Sequence, residues 1–107
     1  MKKSSNDAGE IFTKADSIKP MVSLVEPSFI IGMAELLTFG ASKYSIDNWK
    51  SAKPEDIRRV KDALLRHTLA YTGGELLDEE TGLSHSYAIA VNSMFLNYLL
   101  EINVSLS

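Results

Sequence analysis

The sequence predicts an all-α fold: three main helices in an antiparallel bundle, completed by oligomerisation. Three observations predict it. Apolar residues recur at helical spacing in three separate segments. The connection between the second and third segments is short, so those helices form a hairpin. The chain has 107 residues, enough for one thin core, and small helical domains often thicken such a core by associating.

The elements follow in order. Residues 1–26 read as an N-terminal tail and an extended arm. They are polar at first, then extended over Ile18 to Val25, and Pro20 and Pro27 punctuate them. Residues 27–107 read as the helical domain. Its first helix is expected to start at Pro27 or Ser28, because proline suits a first helical turn, where its missing N–H would be unpaired anyway. Phe29, Ile30, Met33, Leu36 and Leu37 carry the helical spacing. Gly40 is expected to break or bend the helix, with Ala41 to Tyr44 as a short turn. Ser45 to Lys53 is a loop with Asp47-Asn48 as turn chemistry. The second helix is expected from Lys53-Pro54 to about Asp78. Ser51 is a candidate cap, and Glu55 and Asp56 lie in the first turn, where the helix dipole favours acids. Gly73-Gly74 falls inside this pattern at about 1 kcal/mol per glycine and predicts a kink or a close contact. After Glu79-Glu80-Thr81-Gly82, the third helix spans about Leu83 to Ile102. It is apolar on nearly all sides, so it needs cover on more than one side, and a second subunit would supply part of it.

Composition excludes several classes. The chain has no Cys, so it has neither a disulfide framework nor a thiolate metal site. No apolar run is long enough to span a bilayer. The start, Met1-Lys2-Lys3-Ser4-Ser5, is basic but lacks the apolar stretch of a secretory signal, which points to the cytoplasm. A net charge of −3 argues against sequence-independent nucleic-acid binding, which depends on neutralising phosphates. It is compatible with a small anionic substrate that brings its own cations.

Winding the second segment at about 100° per residue places Ile57, Val60, Leu64 and Tyr71 on one core-facing side. His67, Glu75 and Asp78 land on the same side, whereas Arg58, Arg59 and Arg66 do not. Buried carboxylates are costly unless paired or bound to metal. On a continuous helix Glu75 and Asp78 stand at i, i+3 and can converge on one cation, and oxygen ligands suit Mg²⁺ or Mn²⁺. The plainer alternatives are a solvated helix end for the two acids and a core imidazole bonded to a carbonyl for His67. In the third helix His85 and Asn92 share one face, and a mid-helix Asn needs something to hydrogen-bond. The hairpin would bring His85 to Glu75, Asp78 and Glu80. Glu35 on the first helix is a weaker candidate for the same cluster, with a plain surface glutamate as the favoured alternative. Lys43, Lys50 and Arg66 could hold phosphates, and Tyr44 and Trp49 could stack on a base. The alternatives there are solvated lysines and a core tryptophan.

Two blocks of residues carry a family resemblance. Phe39-Gly40-Ala41-Ser42-Lys43-Tyr44, followed by Asn48-Trp49, is the first. Arg66-His67, Gly74-Glu75, Asp78, Glu80-Thr81-Gly82, His85, Asn92 and Phe95-Leu96 form the second. Together they resemble the phage-associated dATP/dGTP diphosphohydrolase N-terminal family, similar in style to MazG-type all-α nucleotide pyrophosphohydrolases. The resemblance implies metal-dependent hydrolysis of a purine deoxynucleoside triphosphate to monophosphate and pyrophosphate, with Mg²⁺ or Mn²⁺. It places the site on His67, Glu75, Asp78 and His85, with Lys43, Tyr44, Asn48 and Trp49 on the nucleotide side. Joined to the reading of the residues, it makes His67 and Glu75 the catalytic candidates and Glu75, Asp78, Glu80 and His85 the metal candidates. Arg66 and Asn92 join the nucleotide-binding set. The family often carries a second His three residues after the first, where this chain has Ala88.

The expected partners are a dNTP or NTP and further copies of the chain, as a dimer or tetramer, with no membrane and no nucleic acid. The alternative is a catalytically weak protein that binds a nucleotide or a host target, and a second is a helical oligomer whose acids are merely solvated. A His-Asp dipeptide hydrolase is not supported, since His67 precedes Thr68 and His85 precedes Ser86. No phosphate-binding glycine loop ending in Lys-Ser or Lys-Thr is present.

Overall fold

The computed structural model describes residues 19–106, and the expected N-terminal tail, residues 1–18, lies outside them. Three helices carry the fold: α1 (Pro27–Lys43), α2 (Ile57–Thr72) and α3 (His85–Leu106). Among the described residues there is no strand, only an isolated antiparallel bridge between Leu77 and Ser84. The extended arm is interrupted, because Val22–Leu24 forms a single 3₁₀ turn.

Helix α1 begins where proline chemistry places it. The Glu26 carboxylate accepts from the Ser28 backbone N–H (3.1 Å) and hydroxyl (3.0 Å). These bonds, the backbone one foremost, hold the Glu26 carboxyl below its ordinary range. Gly40, expected to break or bend the helix, does not break it. The helix runs on to Lys43, and the Tyr44 N–H closes the last turn onto the Gly40 carbonyl (3.0 Å). Gly32 is buried under the Tyr87 ring, which also meets Phe29 edge-on at 5.2 Å.

Between α1 and α2 the chain turns at Asp47, in the left-handed region (φ 58°), and makes 3₁₀ turns at Asn48–Ser51 and Pro54–Asp56. Ser51 is not the cap expected of it, because its hydroxyl donates to the Asn48 carbonyl (2.7 Å). The Asp56 carboxylate instead accepts the Lys53 N–H (2.9 Å).

The largest departure from the sequence expectation is at the end of α2. The helix stops at Thr72 instead of running to Asp78. The Glu75 N–H bonds the Ala70 carbonyl (2.9 Å) and the Gly74 N–H bonds the Tyr71 carbonyl (3.1 Å). This is the paired closure of a Schellman motif, which requires positive φ at the residue after the cap. Gly74 supplies it at φ 104°. The glycine pair therefore ends the helix, where periodicity alone suggested a kink.

Helix α3 starts at His85, two residues later than expected, with the Ser84 hydroxyl capping the Ser86 N–H (3.1 Å). Both α1 and α2 pack against it, which accounts for apolar residues around most of its circumference. Ala88, Val91 and Leu99 are its buried centre. The core face of α2 holds Ile57, Val60, Leu64 and His67, while Arg58, Arg59 and Arg66 are exposed. Tyr71, expected on the core face, lies at its margin at 37% exposure.

Candidate metal centre and its cavity

Residues 73–84 form a clasp between α2 and α3. The Asp78 N–H donates to the Leu83 carbonyl (2.8 Å), the Gly82 N–H to the Asp78 carbonyl (2.8 Å), and the His85 N–H to the Leu76 carbonyl (2.9 Å). Thr81 anchors the acid, since its N–H (3.2 Å) and hydroxyl (3.3 Å) both donate to Asp78 Oδ2. The Leu83 N–H returns to the Thr81 hydroxyl (3.1 Å). Asp78 is thus placed by a hydrogen-bonded loop, and the i, i+3 helical geometry expected for Glu75 and Asp78 does not exist.

The clasp nevertheless brings together the groups the sequence singled out. One donor atom from each of His67, Asp78 and His85 lies within 4.8 Å of the others. His67 Nδ1 and His85 Nδ1 are 2.8 Å apart, so the partner of His67 is an imidazole and not the carbonyl a core histidine would use. His85 is only 3% exposed. Its other nitrogen, Nε2, meets Glu75 Oε2 at 2.7 Å. Glu75 therefore sits on the far edge of His85, outside the three-residue cluster. Because a carboxylate only accepts, Nε2 of His85 carries the proton and Nδ1 presents its lone pair to His67. Desolvation holds the His67 imidazole below its ordinary pKa; the neighbouring His85 and Arg66 side chains add to this, and the Asp78 and Glu80 carboxylates oppose it.

Glu80 takes a different partner. Its carboxylate pairs with Lys43 Nζ at 2.8 Å and ties the clasp to the end of α1. That hydrogen bond raises the Lys43 pKa. The same ammonium lies 5.6 Å from the Phe39 ring and 5.5 Å from the Tyr44 ring.

A cavity of about 910 Å³ opens in front of the cluster. His67, Asp78, Glu80, Thr81 and Lys43 supply polar groups to its lining, and Ala88 and Asn92 of α3 line it as well. Tyr44, Asn48 and Trp49 border it from the loop after α1. Tyr44 is 68% exposed. Trp49 stacks on Phe95 (4.7 Å between centroids) and meets Tyr98 edge-on (5.0 Å), so much of its ring is committed to packing on α3. The Asn92 amide donates to the Ala88 carbonyl within its own helix (2.8 Å). Arg66 is separate from this cavity and borders a neighbouring one of about 550 Å³, with Arg59 and Asp62. Glu35 is exposed, as expected of a surface residue.

Two imidazoles and a carboxylate are a recurrent donor set for divalent first-row ions, so the chemistry of the cluster fits a metal. Sequence reasoning gave no role to Thr81 or Ser84, which position Asp78 and His85. The signal was present as an acid, a hydroxyl and a glycine at Asp78, Thr81 and Gly82, a pattern of side-chain-stabilised turns.

The comparisons agree with this picture. The chain is 38% identical over 88 residues to a dATP/dGTP diphosphohydrolase of Salmonella phage PMBT28. That match covers 82% of this chain but only 29% of the relative, so the chain spans less than a third of the relative's length. No solved structure matches. Residues 10–105 match the family described as dATP/dGTP diphosphohydrolase, N-terminal. On that coverage, this chain belongs to the dATP/dGTP diphosphohydrolase N-terminal family.

Proposed function

We propose that this domain hydrolyses purine deoxynucleoside triphosphates to monophosphate and pyrophosphate, with a divalent ion held by His67, Asp78 and His85. The observation that carries the reading is this cluster, two members of which, His67 and Asp78, line a nucleotide-sized cavity whose wall also carries a lysine. The family's name supplies the substrate class.

When bound, the ion neutralises phosphate charge and lowers the pKa of a water it holds. The chain's own residues do the rest. Lys43 exchanges Glu80 for a substrate phosphate, a stronger anionic partner. Glu80, which borders the same cavity, then accepts the proton of the water that attacks the α-phosphorus. The bond from that phosphorus to the β-phosphate bridging oxygen breaks, and pyrophosphate leaves. Tyr44 and the free edge of Trp49 bracket the base, and Asn48 and Asn92 border it. Glu75 orients His85 and has no direct contact with substrate.

A second copy of the chain completes the bundle in this proposal, in an antiparallel arrangement. Leu65 and Leu69 on α2 and Leu76 and Leu77 in the clasp are 58–72% exposed and are apolar side chains it would cover. No helix among the described residues is long and apolar enough to cross a membrane.

The test is incubation of the protein with each dNTP and Mn²⁺ or Mg²⁺, with products separated by ion exchange. Monophosphate and pyrophosphate are expected, with turnover lost in Asp78→Ala. One observation favours the weaker reading, a nucleotide-binding protein of low activity. Ala88, which stands where the family often has an imidazole, is buried at 5% exposure and lines the cavity. Nucleotide-dependent thermal stabilisation without products would decide for that reading.

A further inference from the structure

We propose that the His67–Asp78–His85 cluster is selective for a first-row transition ion such as Mn²⁺ or Co²⁺ over Mg²⁺, and that Glu75 is the positioning residue that sets this selectivity. This deepens the preceding proposal and rests on it only for what the ion does to substrate.

Three features point the same way. The first is donor type. Mg²⁺ takes hard oxygen ligands and keeps several of its waters, whereas two of the three donors here are imidazole nitrogens, which suit the later first-row ions. The second is spacing. The two Nδ1 atoms are 2.8 Å apart and an Asp78 oxygen lies within 4.8 Å of both, so a small shift lets one ion reach all three donors, and three protein donors leave room for phosphate oxygens or water.

The third feature is preorganisation. His85 is buried, begins α3, and is held by Glu75 through Nε2. Its Nδ1 lone pair is therefore already aimed at the cluster before any ion arrives. A carboxylate behind a ligating imidazole fixes its tautomer and raises its basicity. Without an ion, His67 Nδ1–H donates to that lone pair across the 2.8 Å contact. Ion binding requires both Nδ1 atoms bare, so the His67 proton moves to Nε2.

The experiment uses the full chain, freed of metal with a chelator, and titrates Mn²⁺, Co²⁺ and Mg²⁺ in the absence of nucleotide. Calorimetry is expected to show one Mn²⁺ or Co²⁺ per chain, bound at least about tenfold more tightly than Mg²⁺. Glu75→Ala should weaken binding by about 10–100-fold with an unchanged circular dichroism spectrum, and Glu75→Gln, which keeps an acceptor, should recover most of it. His67→Gln should abolish binding. Should that variant fail to fold, substoichiometric Mn²⁺ added to the unaltered protein must still broaden the His67 and His85 ring resonances first.

Equal affinity for Mg²⁺ and Mn²⁺, or Mn²⁺ binding that survives loss of His67, overturns the proposal. The two proposals fail differently. Turnover supported by Mg²⁺ alone in His67→Gln overturns the ion assignment and leaves hydrolysis standing. Selective ion binding without turnover of any dNTP upholds the ion assignment and removes the hydrolase.

Discussion

Replacing Gly74 by alanine tests how the centre is built. The substitution meets no steric obstacle, since no atom lies within 4 Å of where the new Cβ would stand. The whole cost is therefore conformational. The residue is held at φ 104°, and a left-handed backbone costs an L-residue about 1–2 kcal/mol. The reduced freedom of the unfolded chain adds a smaller penalty to the unfolded state, and where native φ is positive the net effect remains destabilising.

Gly40→Ala is the matched control. It also meets no atom within 4 Å, but it lies inside α1, where alanine is favoured by about 0.5–1 kcal/mol. The two variants should differ by roughly 2 kcal/mol, and for a domain of this size about 4–8 °C of Tm accompanies each kcal/mol. Thermal unfolding followed by circular dichroism should place Gly40→Ala above the parent and Gly74→Ala below it, about 10 °C apart. Gly74→Ala should also weaken Mn²⁺ binding, because the Schellman closure sets where Glu75 leaves the helix. Two melting temperatures that move together, in either direction, would refute the reasoning that a glycine-specific stop ends α2 and positions the clasp.

Gly32→Ala, unlike Gly40→Ala, would force its Cβ into the Tyr87 ring; overpacking of this kind costs about 1–3 kcal/mol, to be read as a lower urea midpoint. Because His67 titrates below its ordinary value in the folded protein, its neutral form contributes stability that is complete above about pH 6.5. That contribution is lost as pH falls through the folded pKa; histidine ring shifts in the metal-free chain should show the low titration, and His67→Gln should flatten the matching part of the pH–stability curve. Lys43→Gln should raise KM for dNTP with kcat less affected if the ammonium binds phosphate as proposed, since the Lys43–Glu80 pair it leaves is exposed. Ala88→His should place a further imidazole one turn after His85 and tighten Mn²⁺ binding in calorimetry.

The helical class was legible because apolar spacing in α1, α2 and α3 reflects which faces each element buries. The core face of α2 was legible for the same reason, down to His67 and the three outward arginines. The path of residues 73–84 was not. A wheel drawn through Gly73-Gly74 keeps Glu75 and Asp78 on one face; in the structure Asp78 reaches the cluster by a loop route and Glu75 contacts only the far edge of His85. Periodicity has no means of registering a Schellman closure or a bridge such as Leu77–Ser84, since both depend on backbone bonds that side-chain pattern does not encode. Glu80 illustrates a second limit. Its proximity to the site in sequence was correct, but its pairing with Lys43 joins residues 37 apart in the chain and follows only from how α1 crosses the clasp. Trp49 was open between core and base stacking, and the structure packs it on Phe95 and Tyr98 at the border of the cavity.

That tryptophan is the only one in the chain, and it borders both cavities while resting on Phe95 and Tyr98. Selective excitation of its indole therefore samples one place in the molecule. A purine sliding against its free edge would quench or shift its emission without any dye or label, so the chain carries its own optical gauge of occupancy.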